Sequence, residues 1–104
     1  MTLCGSTKFK SEFELAQREL SIEGKIVLTV AFYIHAGYGG RVDQKIKRDL
    51  DELHLDKIEM SDEVFVINKD GYIGESTRNE IRHAEKMKKK VRYMFPIGNN
   101  PLQW

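Results

Sequence analysis

Residues 61–84 read SDEVFVINKDGYIGESTRNEIRHA. The fold turns on how this stretch divides. Glu63 to Asn68 (EVFVIN) reads as a strand, Ser76 to Lys89 as a helix, and the glycines between them as the turn that joins the two. One residue in the stretch has two readings. Thr77-Arg78-Asn79-Glu80 matches the capping box, in which a glutamate reaches back to the N–H of the cap residue. The same carboxylate also stands at the rim of a strand-to-helix turn, where it can attack a bound substrate. Both readings are open at this point.

Working outward, Thr2 to Cys4 is a short apolar segment that stops at Gly5-Ser6-Thr7, a strand entering a tight turn. From Lys8 to Ile22 the apolar residues Phe9, Phe13, Ala16 and Leu20 recur at the three-and-four spacing of an amphipathic helix, which Gly24 ends. Lys25 to Val30 (KIVLTV) is β-branched and nearly continuous in apolar character, as in a strand buried on both faces. Ala31 to Arg41 (AFYIHAGYGGR) has no period and reads as a loop able to close over a site. From Val42 to about Met60 the residues Ile46, Leu50, Leu53 and Ile58 mark a second helix. Val91 to Phe95 is a fourth strand, closed by Pro96.

Strands that alternate with helices make parallel crossover units. The expectation is one α/β domain over residues 1–104, a small doubly wound sheet of flavodoxin-like or Rossmann-like type. It has about four to five parallel strands in the order 2-1-3-4, with helices on both faces.

Composition narrows the function. The chain has 104 residues, 40% apolar and 32% charged, as in an ordinary soluble globular domain. Its net charge of +1 lacks the basic excess of a protein that binds duplex nucleic acid through phosphates. The one basic run, Lys86 to Lys90, falls at a predicted helix end, where cations offset the dipole. A single cysteine, Cys4, rules out an internal disulfide and fits a reducing cytoplasm. No stretch approaches the length of a membrane span and no signal peptide is seen, so a cytoplasmic protein without membrane contact is expected.

In an open α/β sheet, ligands bind beyond the carboxyl ends of the strands where the strand order reverses. Two loops meet there, Gly5-Ser6-Thr7-Lys8 and Asn68 to Thr77, and each opens onto a helix N-terminus suited to an anion. The second loop contributes Gly71, Tyr72, Gly74, Ser76 and Thr77. The hydroxyls have a structural reading as helix caps. Tyr72 and Tyr38 can stack on a nucleobase, and Arg78 and Lys8 can pair with a phosphate. Neither GxGxxG nor GxxxxGK[ST] occurs, so no dinucleotide or Walker-type cofactor site is expected. Cys4, His35, His54 and His83 show no ligand spacing, so no metal is implied.

The segments LCGSTKF, GKIVLTV and SDEVFVINKDGYIGESTRNEIRHA resemble the nucleoside 2-deoxyribosyltransferase superfamily, including its 2'-deoxynucleoside 5'-phosphate N-hydrolase branch, and most closely its small bacterial and phage members. The resemblance runs from Thr2 to about Pro96. It implies an N-glycosidase or deoxyribosyl transferase acting on a small nucleoside or nucleotide, without a cofactor. Glu80 is then the nucleophile on C1' of the sugar, with Ile81 after it. Thr77 matches a hydroxyl residue of the transferases, and Gly5 and Ser6 match the loop beside the sugar and its phosphate. It also implies a homodimer or higher homo-oligomer. A chain that kept the crevice without turnover would be a nucleotide-binding module, and a third possibility is a subunit that serves assembly.

One position departs from the family pattern. The hydrolase branch carries an aspartate eight positions before the Asp that Asp62 matches, and here that position is His54. His54 must then substitute for it. An idealised helix ending at Met60 puts His54 ~9 Å up beside a strand that rises ~20 Å, below the crevice. His35 and His83 are further candidates for acid or base, since imidazole titrates near neutrality.

Overall fold

The computed structural model describes residues 1–30 and 44–97. Within them strands β1 (Thr2–Gly5), β2 (Glu63–Ile67) and β3 (Lys90–Tyr93) share the chain with helices α1 (Lys10–Ile22), α2 (Gln44–Met60) and α3 (Glu75–Lys86). The sheet order is β1-β2-β3 and both pairings are parallel, with Gly5 opposite Ile67 and Val66 opposite Tyr93. This register brings the carboxyl ends of β1 and β2 level, so the loops that follow them emerge side by side. No helix among the described residues is long and apolar enough to cross a membrane.

Alternation along the strands divides the core into two layers. Leu3, Phe65 and Ile67 face one way and pack with Phe9, Phe13, Ala16 and Leu20, the apolar stripe of α1 and the turn before it. Cys4, Val64 and Val66 face the other way and pack with Ile58 of α2 and Ala84 of α3. Helices therefore cover both faces, as the near-continuous apolar strands require.

The sheet has three strands where four to five were expected. Lys25–Val30 runs beside β1 on the side away from β2, but pairs with it only at one parallel bridge, Leu28 to Thr2. Leu28 accepts from the Leu3 N–H and donates to the Met1 carbonyl. The segment lies on the edge that the order 2-1-3-4 assigns it, but among the described residues it pairs at that bridge alone and Ile26 is 82% exposed, so the run is not buried on both faces. The loop with His35 and Tyr38 lies outside the described residues, as does Trp104.

Two helix ends follow the same device. At α1 the Gly24 N–H bonds Ser21 O and the Lys25 N–H bonds Leu20 O, with Gly24 at φ +92. At α3 the Lys88 N–H bonds Glu85 O and the Lys89 N–H bonds Ala84 O, with Lys88 at φ +61. Both are Schellman closures, which need a left-handed residue. Helix α3 therefore ends at Lys86, short of Lys89, and the basic run crosses from helix end to the start of β3.

Lys88 pays the steric cost that Gly24 avoids. Lys88→Gly should raise stability by about 0.5–1 kcal/mol, read as a higher urea midpoint. Gly5 is the opposite case: it sits at φ +155, and a Cβ there would stand 2.9 Å from the Ile67 carbonyl oxygen and 3.3 Å from the Phe13 ring. Gly5→Ala should cost about 1–3 kcal/mol by the same assay.

Candidate functional site

The loops after β1 and β2 and the middle of α2 enclose a pocket of about 460 Å³. Gly5, Ser6 and Thr7 line it from the first loop; Tyr72, Gly74, Ser76 and Thr77 line it from the second. Glu80 and His54 complete it, so nine of the expected site residues meet at one cavity. Lys8 and Gly71 do not line it. Helix α2 adds residues that sequence reasoning did not assign to the site: Lys47, Leu50, Asp51, Leu53 and Lys57, along with Val30 and Glu75 from neighbouring segments.

Local geometry explains each placement. Ser6 is extended and its hydroxyl accepts from the Lys8 N–H, capping the short 3-10 turn Thr7–Phe9. That turn carries Lys8 outward, where its Nζ lies 3.5 Å from the Tyr72 ring centroid. Tyr72 also meets Phe9 edge-on, at 6.0 Å between centroids. Tyr72 thus stands at the rim with a cation on one face. Arg78 bonds back to the Ile73 carbonyl, away from any anion in the pocket.

Helix α3 begins earlier than the capping box requires. Its N-cap is Gly74, extended at φ −75 and ψ 174, with no side-chain cap bond. Thr77 is already the third helical residue and is buried. Glu80 lies a further turn in and reaches back to no cap. The capping role read from Thr77-Arg78-Asn79-Glu80 is therefore not what the carboxylate does. The uncapped first turn of α3, Glu75 to Thr77, lines the pocket, and a helix N-terminus of this kind suits an anion.

Glu80 instead points into the floor. Its side chain is 12% exposed, and Oε1 lies 3.8 Å from His54 Nε2. Oε1 is buried with no hydrogen-bond partner, and so is His54 Nδ1. Behind them, His54 Nε2 is 3.7 Å from the Cys4 thiol. The sulfur, the imidazole nitrogen and a Glu80 oxygen all lie within 4.8 Å of one another.

His54 is higher than the idealised estimate placed it. Strand β2 has five residues, Glu63–Ile67, so it rises only ~16 Å. The hydroxyls of Thr2 and Ser61 both meet the Lys57 carbonyl, which fixes the last turn of α2 against the start of β1. From there His54 reaches Cys4, one residue from the end of β1. Gly5 adds no side chain above it, so the pocket extends down to the imidazole.

Burial sets the proton affinities. It raises the Glu80 carboxyl to about 7; Asp51 adds to the rise, while the Cys4 thiol and Lys47 oppose it. It lowers His54 to about 4, reinforced by Lys57 and partly offset by the Leu3 backbone and Asp51. It pushes the Cys4 thiol well up, and the Glu80 charge adds to this. At neutral pH the floor thus holds a neutral imidazole, a neutral thiol and a carboxyl group poised between its two forms.

The remaining candidates lie elsewhere. His83 pairs with Glu59 on the outside, Nε2 to Oε2 at 2.9 Å, joining α3 to α2 away from the pocket. Asp51 lines the pocket but is held by Lys47 at 3.0 Å. Cys4 and the pocket-facing residues of α2 other than His54 were missed as site members because no local spacing links them to Glu80. No family model, curated protein or solved structure matches the chain.

Glu80 and His54 bias stability oppositely. Between its ordinary 4.5 and about 7, Glu80 holds a proton in the folded protein that the unfolded chain has lost, so rising pH costs stability. His54, between about 4 and its ordinary 6.5, is neutral in the folded protein while the unfolded chain binds a proton, so falling pH costs stability. Glu80→Gln removes the first effect alone. Relative to wild type it should gain about 2–3 kcal/mol between pH 4.5 and pH 8, measured by denaturant titration in chelator-treated buffer.

Proposed function

We propose that the chain cleaves the base–sugar bond of a small deoxynucleoside or deoxynucleotide, with Glu80 as the nucleophile. The observation that carries this is a nearly buried glutamate lining the pocket floor, 12% exposed, whose Oε1 makes no hydrogen bond of good geometry. A structural glutamate at such depth is ordinarily satisfied by a hydrogen bond or a cation. The resemblance of the chain's motifs to the deoxyribosyltransferase superfamily supports the same role.

The pocket volume lies in the range of small-molecule sites. A sugar seated over Glu80 would have its hydroxyls, or a 5'-phosphate, toward Ser6, Thr7 and the first turn of α3, where backbone N–H groups favour an anion. Tyr72 at the rim supplies a surface for the base. In the first step the Glu80 carboxylate attacks C1' and forms a glycosyl ester. The C1'–N bond breaks, and the base leaves with the bonding pair and takes a proton from water at the open mouth. In the second step water attacks C1' and loses a proton to solvent while the C1'–O bond to Glu80 breaks, which returns the carboxylate and releases the sugar; a second free base in place of water gives transfer.

His54 acts through Glu80. Neutral and 3.8 Å from Oε1, the imidazole holds the carboxylate side chain over the floor without offering it a counter-charge. The positive charge that develops at C1' then supplies the stabilisation the apo site withholds, and draws Glu80 into its ionised form. His54 stands where the hydrolase branch has an aspartate, and in this reading it is a positioning residue.

The test is a panel of deoxynucleosides and their 5'-monophosphates, with and without a second free base, followed by chromatography. Wild type should release or exchange base, and Glu80→Gln should lose at least about a thousandfold in kcat while still binding. Absence of turnover with every substrate would overturn the enzyme reading. A nucleotide that still raised Tm in that case would mark the pocket as a binding module.

A further inference from the structure

Cys4, His54 and Glu80 come from β1, α2 and α3, so only tertiary packing brings their donor atoms together. The glycosidase reading uses the carboxylate and leaves the thiol without a task. We infer that these three side chains form a site for one thiophilic divalent cation, zinc in the first place, with its remaining position open to the pocket.

Distances support the coordination. Around a tetrahedral zinc with bonds of ~2.3 Å to sulfur and ~2.0–2.1 Å to nitrogen or oxygen, neighbouring ligand atoms stand ~3.3–3.6 Å apart. Here Sγ to Nε2 is 3.7 Å and Nε2 to Oε1 is 3.8 Å. Small side-chain rotations close the difference without moving a strand or helix. Cys4 and His54 are almost wholly buried, and Glu80 nearly so, so the three are held in place by packing.

The donor set selects the ion. A thiolate and an imidazole favour zinc over the hard cations, magnesium and calcium, which prefer oxygen ligands throughout. Thiolate and carboxylate together cancel the two charges of the ion, as a buried site demands. Glu80 Oε1 makes no hydrogen bond of good geometry, and its nearest polar neighbours are the other two members of the trio, the Cys4 thiol and the His54 ring. Both His54 and Glu80 face the pocket, so the ion has a path in and space for water or a substrate oxygen as a further ligand. Three protein ligands with one open position is the arrangement of reactive zinc centres.

The site stands apart from the glycosidase reading, but one consequence rests on it. An ion bound to Glu80 occupies the oxygen that would attack C1', so metal and glycosyl ester exclude one another.

The experiment starts from full chain stripped with a chelator and dialysed. Zinc should bind at one ion per chain by elemental analysis and raise Tm by about 10 °C at a hundredfold excess over Kd. Cobalt(II) should give the near-ultraviolet thiolate charge-transfer band and intense visible bands of tetrahedral coordination. Cys4→Ser should lose the ultraviolet band. Glu80→Gln, which keeps the thiol and is expected to fold, should keep that band with affinity at least about tenfold weaker. His83→Ala, which removes the outer histidine, should bind as wild type does. Failure of zinc to bind at one equivalent, or binding unchanged in both Cys4→Ser and Glu80→Gln, would overturn the site. Base release by the stripped protein is scored separately. Turnover without zinc binding would sink the metal site alone, and zinc binding without turnover would sink the glycosidase alone.

Discussion

Everything at the pocket floor depends on how α2 is held against β1. The hydroxyls of Thr2 and Ser61 converge on the Lys57 carbonyl, and Ile58 fills the layer beneath them. Those contacts fix the last turn of α2 at the start of β1, and the helix then climbs beside the strand toward its carboxyl end. His54, one turn before Ile58, arrives beside Cys4. A helix held one turn lower would have put a different side chain there and left Glu80 facing a leucine or a solvated charge. The clasp is polar, but its effect is to set the register of two apolar surfaces.

Around that register the fold places an environment that resists charge. Val64, Val66, Ile58 and Ala84 pack in the same layer as Cys4. Burial dominates the proton affinity of Cys4, His54 and Glu80 alike, pushing each toward its neutral form. Such a site is a stability cost, since a buried carboxylate without a donor is poorer than the same group in water. Functional sites commonly carry this kind of cost. The rest of the molecule offsets it through the second layer, where Leu3, Phe65 and Ile67 pack with the α1 stripe.

Much of this was legible in the sequence, and the parts that were not share a cause. Strands β1, β2 and β3 and the three helices follow from apolar runs and three-and-four spacing, which are local signals. The parallel order and the meeting of the two loops follow from the alternation of elements. The capping box misled because Thr-x-x-Glu is defined relative to a helix start, and Gly74 starts α3 three residues ahead of Thr77. Lys25–Val30 lies on the expected edge beside β1, but an apolar run does not say how far it pairs or whether both its faces are covered: it meets β1 at one bridge and leaves Ile26 exposed. His54 stands higher than the sequence implies because β2 stops at Ile67, one residue short of the run that ends at Asn68, and the imidazole reaches up from its helix to Cys4. Cys4 could not be joined to His54 or Glu80 at all: separations of 50 residues and more carry no periodicity, and only the sheet and the α2 clasp bring those atoms together.

One atom concentrates the chemistry of this pocket. Glu80 lines the cavity while its Oε1 is buried without a hydrogen-bond partner, and a carboxylate in that condition gains from any electrophile that reaches it. In the proposed reaction the C1' carbon with its developing positive charge is one such electrophile; at the inferred metal site a zinc ion beside the neighbouring sulfur and imidazole would be another. Both would supply the positive charge that the apolar surroundings withhold, so the two proposals draw on one arrangement. They differ in what else they need. The carbon needs the hydroxyls and backbone N–H groups of the two loops to hold a sugar, whereas the ion needs only Cys4 and His54. Cys4 makes the difference physical: behind the floor, it is out of reach of a sugar but within coordination distance of anything that binds Glu80 and His54 together.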